Sequence, residues 1–236
     1  MFETSDLNTI KTLLNNKPES VVFLEVDENS ISKRFEEIKE IASEKKIKIE
    51  IKKFKNTKIK INLIFKPSEP KNIEYLEKII ETKEDILILL LDHITDPNNL
   101  GSILRTSLGG LVDAVVVPKS RACHLTKSVR EVSKGSSELI PFVIVPNLKR
   151  ITEMLKLRGF LIYGAESSEQ SKSIYDTDFS KKVGLIVGSE NTGIQETLKS
   201  KCDKMIKIPI SKKLESLNAA IATSIIVFEI NRQRIN

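Results

Sequence analysis

The 236-residue chain predicts an α/β fold with a mostly parallel sheet, because its C-terminal two thirds alternate aliphatic segments with segments of helical periodicity. Six aliphatic segments are candidate strands: 86–91, 113–117, 139–145, 160–164, 183–187 and 204–208. Five segments with helical spacing accompany them: 99–109, 123–134, 148–157, 191–201 and 217–232. Parallel strands need long crossover connections, which helices of this length supply. The alternation therefore predicts a parallel sheet covered by helices on both faces.

The first 66 residues predict a separate, smaller α/β unit. Its candidate elements are helices at 7–14 and 30–42 and strands at 21–26, 47–51 and 58–65. Ser30 is a candidate N-cap of the second helix. Residues 67–84 begin with Pro67 and Pro70, which interrupt regular structure, and continue into a helix over 73–81. We therefore divide the chain into a small unit (1–66), a linker with a leading helix (67–84) and a large unit (85–236).

The composition indicates a folded cytoplasmic protein. Apolar residues make up 40% of the chain, enough for a sizeable core. The longest aliphatic run, 86–91, is far shorter than the roughly 20 residues that cross a membrane, and no signal peptide precedes it. Cys123 and Cys202 suit buried, reduced thiols better than a disulfide framework or a zinc site. We expect no membrane association and no metal.

The net charge of +6 lies entirely in the large unit. Residues 86–236 carry 21 Lys and Arg against 15 Asp and Glu, whereas residues 1–85 carry 17 of each. The small unit still contains a lysine run over 45–60 in which Glu50 is the only acidic residue. Such a run is either a solvated surface or a contact to an RNA backbone. The candidate RNA contacts are Lys52, Lys53 and Lys55.

Three segments of the large unit place glycines and polar residues where a strand ends. They are Asp96 to Arg105, Ile186 to Gly193, and Ile208-Pro209-Ile210 running on to Ser216-Leu217-Asn218. In the first, Asn98 or Asn99 is a candidate helix cap, and Gly101 allows close approach of a backbone or a ligand. In the third, Ser216 is the candidate cap of the final helix. Each segment alone is explained by an ordinary turn and a capped helix.

In this order the three segments resemble the signature motifs of the SpoU (TrmH-like) family of RNA ribose 2′-O-methyltransferases, within the SPOUT superfamily. The resemblance covers about residues 85–232 and includes Ser133-Lys134-Gly135-Ser136, which is similar to the family's Ser-x-Gly-Ala segment. It implies a SPOUT-type mostly parallel sheet with a C-terminal trefoil knot. Residues 1–66 are similar to the small ribosomal-protein-like RNA-binding domain of members that act on ribosomal RNA.

The resemblance implies methyl transfer from S-adenosylmethionine to a ribose in RNA, with 23S ribosomal RNA as the expected substrate and a homodimer as the expected assembly. The implied catalytic residues are Asn99, Arg105, Glu190, Ser216 and Asn218. The implied cofactor-binding residues are Gly164, Ala165, Gly188, Ile208, Pro209 and Leu217. A carboxylate can orient a guanidinium through a bidentate pair, so we expect Glu190 to orient Arg105.

The reaction requires loss of the proton of the ribose hydroxyl. Neither histidine lies at a position that the resemblance marks as catalytic, although His93 follows a strand end near the first segment and is a minor candidate base. Arginine is effectively always protonated. We therefore interpret Arg105 as an electrostatic clamp on the alkoxide or a neighbouring phosphate, acting through Asn99, Ser216 or water. Its role as a base stays open.

Three residues depart from the family pattern: Lys212 replaces a glycine, Ala220 a serine and Ser136 an alanine. Lys212 bears on the shape of the cofactor pocket. The alternatives are a tRNA or resistance-type ribosomal RNA 2′-O-methyltransferase, and a non-catalytic RNA-binding or ribosome-assembly protein of the same fold. A dinucleotide-dependent enzyme is disfavoured, because no Gly-x-Gly-x-x-Gly follows the first strand of the large unit.

Overall fold

Two separate β-sheets organise the chain in a computed structural model, which describes residues 1–28, 32–55, 60–190 and 192–235. The N-terminal lobe contains β1 (Phe2–Thr4), α1 (Leu7–Asn16), β2 (Val21–Asp27), α2 (Lys33–Glu44), β3 (Ile49–Lys52) and β4 (Ile61–Phe65). The C-terminal lobe contains α3 (Ile73–Thr82), β5 (Ile86–Asp92), α4 (Pro97–Gly109), β6 (Ala114–Pro118), α5 (Lys127–Ser133), β7 (Phe142–Val145), α6 (Leu148–Leu157), β8 (Leu161–Ala165), β9 (Lys172–Ser173), β10 (Lys182–Gly188), α7 (Glu196–Lys199), β11 (Lys204–Lys207) and α8 (Ala219–Ile235).

The sheet of the N-terminal lobe has four strands in the order β1-β4-β2-β3. Strand β4 is antiparallel to β1 and β2, while β3 is parallel to β2. Ile10 and Leu13 of α1 pack with Leu24 and Leu63 of the sheet in a closed core. The predicted cap Ser30 and the first part of the predicted strand 58–65 lie outside the described residues.

The sheet of the C-terminal lobe has seven strands in the order β7-β6-β5-β10-β8-β11-β9, and every neighbouring pair is parallel. This arrangement confirms the predicted mostly parallel sheet. All seven residues of β5 are buried, because β5 lies inside the sheet and helices cover both of its faces. Its side chains alternate between two cores, with Leu87 and Leu89 on the side of α4 and α8, and Ile88 and Leu90 on the side of α3 and α6.

Several predicted boundaries were wrong, in one case because of local capping. The predicted helix 123–134 begins only at Lys127, because the Thr126 side chain accepts a hydrogen bond from the Val129 N–H and caps it. The predicted helix 191–201 reduces to the single turn of α7. The predicted strand 139–145 begins at Phe142, after a 3-10 turn. The short strands β1 and β9 lack an alternating pattern long enough to predict them.

The two lobes meet through a polar group that we call the interlobe network: the half-buried Lys17 and Ser68 and the buried Arg130 and Glu138. Arg130 pairs with the Glu138 carboxylate and donates from Nη2 to the Ser68 carbonyl at 2.9 Å. The Ser68 N–H donates to Glu138 Oε2 at 2.6 Å, and Lys17 Nζ donates to the Glu138 carbonyl at 3.0 Å. The predicted linker is therefore fixed between the lobes.

The Ser133-to-Ser136 segment also lies at this contact. Lys134 and Gly135 both adopt left-handed backbone conformations, with φ of 51° and 88°. Lys134 Nζ pairs with Asp6 Oδ2 of the N-terminal lobe at 3.0 Å, and a Cβ added at Gly135 would lie 3.1 Å from Thr12. The turn thus brings the backbone of the C-terminal lobe directly against α1.

Candidate active site

The carboxyl ends of β5, β8, β10 and β11 lie at one edge of the parallel sheet. The registers align Asp92 with Gly188, Val187 with Ala165, and Ala165 with Ile206. In open α/β sheets, ligands bind at this edge because the loops that follow the strands converge there. The three predicted segments follow β5, β10 and β11, so the fold brings them together.

Asn99, Glu190 and Asn218 form a hydrogen-bonded group that we call the Asn–Glu cluster. Asn99 Nδ2 donates to Glu190 Oε1 at 3.1 Å, and Asn218 Nδ2 donates both to that oxygen and to Asn99 Oδ1, the latter at 2.8 Å. The backbone N–H of Ala219 donates to the same Glu190 oxygen at 3.1 Å. One residue from each of the three predicted segments thus meets at a single carboxylate oxygen.

Asn218 has a second role as the cap of α8. Its Oδ1 accepts hydrogen bonds from the N–H groups of Ala220 and Ile221, at 3.0 and 3.2 Å. The prediction that Ser216 caps this helix was therefore wrong, because the helix begins at Ala219, where an Asn side chain satisfies its free N–H groups. Ser216 instead lines the cleft described below.

The first helix of the site is likewise capped by a residue other than those predicted. Asp96 is the N-cap of α4 and accepts from the Asn98 N–H at 3.1 Å, which leaves the Asn99 side chain available to the cluster. Gly101 is needed for helix packing, because a Cβ there would lie 2.6 Å from the Cβ of Val132 in α5. It thus brings α4 against α5 and does not face the cleft.

Arg105 stands apart from the cluster. It is exposed on α4, six residues after Asn99 and about 9 Å further along the helix axis. It makes no hydrogen bond or ion pair with any residue that the structure describes. The expected Glu190–Arg105 pair is therefore absent, and Glu190 Oε1 instead accepts from Asn99, Asn218 and a backbone N–H.

A cleft opens beside the cluster and contains four of the six predicted cofactor-binding residues: Ala165, Gly188, Ile208 and Leu217. The residues of its wall that the sequence did not single out for the cofactor include Glu166, Ser167, Val187, Ser189, Gly193, Ile206, Lys207, Ile210, Ala219, Ala222 and Ile226. Most of them directly follow a predicted strand or lie on the inner face of the last helix. Residues that follow a predicted strand end could therefore have been predicted from the sequence to line the cleft.

Gly164 and Pro209 do not line the cleft. Gly164 faces the other side of the sheet, where an added Cβ would lie 2.7 Å from Met205 Sδ and 2.8 Å from Cys202 Sγ. Burial raises the pKa of the Cys202 thiol to about 12, which keeps it protonated at neutral pH. Pro209 is exposed beyond the end of β11. Neighbouring residues of an extended segment face opposite sides, so Ala165 and Ile208 line the cleft while Gly164 and Pro209 do not.

The turn after β10 requires its two glycines. A Cβ added at Gly188 would lie 2.1 Å from the carbonyl carbon of Gly193, and Gly193 itself has a φ of 64°. The Gly193 N–H donates to the Ser189 carbonyl at 2.9 Å, and the hydroxyls of Ser189 and Thr192 lie 2.7 Å apart. Both glycines line the cleft described above.

A further hydrogen-bonded group, which the sequence did not reveal, joins the segments after β5 and β10. Asp92 is almost fully buried, accepts from the Gln195 N–H at 2.8 Å, and lies 2.6 Å from His93 Nδ1. His93 Nε2 in turn lies 3.3 Å from the Gln195 side-chain amide. His93, the minor candidate base, is thus held between Asp92 and Gln195. Asp92 directly follows the aliphatic run 86–91, and an acidic residue at the end of a buried strand is the sequence signal that could have indicated this group.

The departures from the family pattern lie away from the cavity. Lys212 is exposed in the turn after β11 and is not part of the cleft wall. Ala220 is buried in α8, and its carbonyl accepts from the Ser224 hydroxyl at 2.7 Å. Over the described ranges, no three His, Cys, Asp or Glu residues are grouped to hold a metal, and no helix is long and apolar enough to cross a membrane.

Comparison with known proteins finds relatives over most of the chain. The profile of the SpoU rRNA Methylase family matches residues 86–228. A 23S rRNA (guanosine-2′-O-)-methyltransferase RlmB of Pseudomonas putida is 32% identical, over 97% of this chain and 95% of its own length. The RlmB of Pseudomonas aeruginosa is 38% identical over 71% of this chain and 68% of its own length.

Solved structures extend the likeness to both lobes. The SpoU methyltransferase AviRb of Streptomyces viridochromogenes, in complex with AdoMet, superposes with a TM-score of 0.78 at 23% identity, covering 99% of this chain and 90% of that one. An AdoMet-bound rRNA methyltransferase of Sinorhizobium meliloti superposes with a TM-score of 0.70 at 20% identity, covering 98% and 87% of the two chains. These similarities establish the fold that surrounds the cleft.

Proposed function

The chain belongs to the SpoU rRNA methylase family, and from that premise we propose that it methylates a ribose 2′-oxygen of 23S ribosomal RNA with S-adenosylmethionine as methyl donor. The observation that carries this proposal is the meeting of Asn99, Glu190 and Asn218 beside the cleft. The match to RlmB over nearly the whole chain supports a ribosomal target over transfer RNA. We place the activity in the cytoplasm, where ribosomal RNA is found.

The cleft residues fit an adenosine-containing cofactor. Its wall combines aliphatic side chains, such as Ile206, Ile208 and Leu217, with the two glycines of the turn after β10, Gly188 and Gly193. An adenine ring needs this combination of an apolar slot and a few fixed hydrogen-bonding groups. Bound S-adenosylmethionine supplies an electrophilic methyl group on a sulfonium. The residues that would hold it are Ala165, Gly188, Ile208 and Leu217.

The Asn–Glu cluster fixes the three loops around the reacting ribose. Glu190 accepts hydrogen bonds from Asn99 and from the first residue of α8. These bonds fix the loops after β5 and β10 and the start of α8 relative to one another. Arg105 has no partner among the described residues, which leaves its guanidinium available for the RNA. We assign to it the stabilisation of negative charge at the 2′-oxygen or at a neighbouring phosphate, as fixed cations do at developing anions.

The N-terminal lobe, residues 1–66, is proposed as the RNA-binding domain. Lys53 and Lys55 are exposed and have no partner in the part of the chain that the structure describes. Lys52 differs, because its Nζ lies 2.6 Å from Glu25 Oε1, and this hydrogen bond raises the pKa of Lys52. Lys53 and Lys55 therefore offer free charge to phosphates, whereas the charge of Lys52 is largely compensated.

A homodimer is proposed through α8. Ile221, Phe228 and Ile235 recur every seven residues and therefore share one helix face, where they are 53%, 50% and 73% exposed. Such a stripe is a surface that a partner subunit can cover. A mass of 26.6 kDa by light scattering, that of a single chain, would contradict the dimer.

The proposed trefoil knot is supported by the sheet order, since β11 pairs between the earlier strands β8 and β9. After β11, the chain returns to pack α8 against α4. A knot requires the chain before α8 to pass through a loop formed by earlier residues. Tracing the chain through residues 166–171 and 208–218 in an experimental density map tests it.

The function is tested by titrating the purified chain with S-adenosylmethionine in a calorimeter, with NADH as control. Transfer of a radiolabelled methyl group to 23S ribosomal RNA is then compared with transfer to transfer RNA. We expect saturable binding of S-adenosylmethionine alone and methylation of 23S ribosomal RNA. Labelling of transfer RNA only would assign the substrate to the alternative class, and absence of any cofactor binding would contradict the enzyme itself.

Arg105→Ala is the matching variant. It should lower the turnover number by about 10²- to 10³-fold, the usual cost of losing one charge-stabilising donor. Cofactor affinity should remain, because Arg105 does not line the cleft. Arg150→Ala, which removes an exposed arginine from α6, is the control and should leave turnover unchanged. Wild-type turnover in Arg105→Ala would remove Arg105 from the mechanism.

A further inference from the structure

Glu166 is a carboxylate on the cleft wall that the methyl-transfer chemistry described above does not use. It follows the last residue of β8, and its N–H donates to the Ile206 carbonyl at 2.9 Å, so the backbone at this point is fixed to β11. Its side chain is 27% exposed and lines the cleft. A carboxylate held in a mostly aliphatic cavity calls for a polar partner.

The side chain is oriented by a lysine from another element. Lys199 Nζ of α7 donates to Glu166 Oε1 at 2.7 Å and is itself held by Glu196 Oε1 at 2.7 Å. These hydrogen bonds, to Glu166 first and Glu196 second, raise the pKa of Lys199 and keep it charged. Because Lys199 engages Oε1, the carboxylate has a preset orientation.

The other carboxylate oxygen is open to a ligand. Glu166 Oε2 accepts no hydrogen bond from any residue within the described ranges. Glu166 also lies next to the glycine turn, since a Cβ added at Gly193 would be 3.8 Å from Oε1. The carboxylate therefore borders the same cavity as the backbone of that turn and the apolar residues Ile206 and Ile208.

We propose that Glu166 binds the vicinal 2′- and 3′-hydroxyls of the cofactor's ribose, with Lys199 as the residue that positions it. The proposal rests on the proposed function, because it assigns a subsite within the same cleft. A nucleoside bound with its base against the aliphatic wall presents two adjacent hydroxyl donors, and a carboxylate is the side chain that accepts both. An acidic residue after a strand end binds ribose by this chemistry in other open α/β sheets.

The test uses Glu166→Gln with two probes, S-adenosylmethionine and 5′-methylthioadenosine, in calorimetric titrations. The second probe keeps the adenine and ribose but lacks the α-ammonium and carboxylate of methionine. Glu166→Gln should weaken both probes by the same factor, about 10- to 100-fold, the usual loss for hydrogen bonds to a charged group. Glu169→Gln removes the same charge three residues further on, outside the cleft, and should bind like the wild type.

A third probe isolates the hydroxyls. The 2′,3′-dideoxy form of 5′-methylthioadenosine should bind the wild type weakly and should be unaffected by Glu166→Gln. Lys199→Met leaves the carboxylate in place but unanchored. It should weaken 5′-methylthioadenosine about 3-fold or more while leaving binding of the dideoxy probe unchanged. A purely structural role for Lys199 would weaken both probes equally and would overturn its assignment.

Three other outcomes of these titrations would contradict the ribose assignment. Weakening of S-adenosylmethionine alone would assign the carboxylate to the methionine ammonium and overturn the ribose assignment. Unchanged affinity of both probes in a Glu166→Gln variant that unfolds at the wild-type urea concentration would also overturn it, while leaving the proposed function standing. A wild-type chain that binds neither probe would instead refute the proposed function, and this subsite with it.

Discussion

The interlobe network and the Asn–Glu cluster are both polar groups that join distant parts of the sequence, yet they lie in opposite environments. Arg130 and Glu138 are 9% and 2% exposed, and Glu138 is satisfied by a guanidinium and a backbone N–H. Glu190 is exposed, and one of its oxygens serves two asparagines and a backbone N–H. Burial makes the first group a structural joint, while exposure leaves the second accessible to a substrate.

The energetic consequence differs for the same reason. Removing one partner of a buried ion pair leaves an uncompensated charge in a medium that solvates it poorly. When an exposed carboxylate is removed, water takes its place, so the free energy of unfolding changes little. We therefore expect substitutions in the interlobe network to act on stability, and substitutions in the Asn–Glu cluster to act on catalysis.

The largest effect should come from Arg130→Met. The variant should lower the free energy of unfolding by about 3–5 kcal/mol, because Glu138 stays buried without its partner. Urea denaturation followed by circular dichroism measures the change. The double variant Arg130→Met/Glu138→Leu should recover much of the loss, since it removes both charges. Equal destabilisation in the single and double variants would show that packing, and not the buried charge, governs this joint.

Glu190→Gln should lower the turnover number but leave stability nearly unchanged. We expect about a 10²-fold lower turnover number, because the amide supplies an uncharged oxygen to the two asparagines and loosens the mouth of the cleft. The free energy of unfolding should change by less than about 1 kcal/mol, as for other exposed sites. Methyl transfer and urea denaturation of the same preparation compare the two. Glu215→Gln, an exposed neighbour in the loop before α8, serves as the control.

The smallest effect concerns the N-terminal lobe. The affinity of the chain for RNA falls as salt rises. In the Lys53→Ala/Lys55→Ala variant the plot of log affinity against log salt should be less steep by about 1.5, because each phosphate contact contributes about 0.7–0.9 to its steepness. Lys52→Ala should change the slope less, since Glu25 already compensates this charge. Filter binding at several salt concentrations measures the slopes. An equal change for Lys52→Ala would show that the Glu25 pair opens when RNA binds.

The parts of the site that were predictable share a common property. Asn99, Glu190 and Asn218 lie in short segments with recognisable motifs, and the parallel sheet places strand ends at one edge. The expected Glu190–Arg105 pair failed because motif membership does not say which side chains meet. Gly164 and Pro209 lie outside the cleft wall, because successive residues of an extended segment face opposite sides.

The contacts that were not predictable join residues far apart in sequence. Asp92 meets Gln195, and Glu166 meets Lys199, although many residues separate each pair. Neither pair has a local pattern, since each arises only when two loops converge after the sheet has formed. The cap of α8 was also misassigned, because Ser216 and Asn218 are both good capping residues and only the position of the preceding turn selects between them.

By itself the sequence determined the α/β class, the parallel sheet and the three segments that meet at the Asn–Glu cluster, because apolar periodicity and turn chemistry are local properties of the chain. The tertiary structure alone decided which polar side chains share a partner. It joined the lobes through Arg130 and Glu138, gathered two asparagines at Glu190, and set Glu166 beside Lys199. The physical reason is that hydrogen bonds and ion pairs depend on distances of a few ångströms, which only the folded chain fixes.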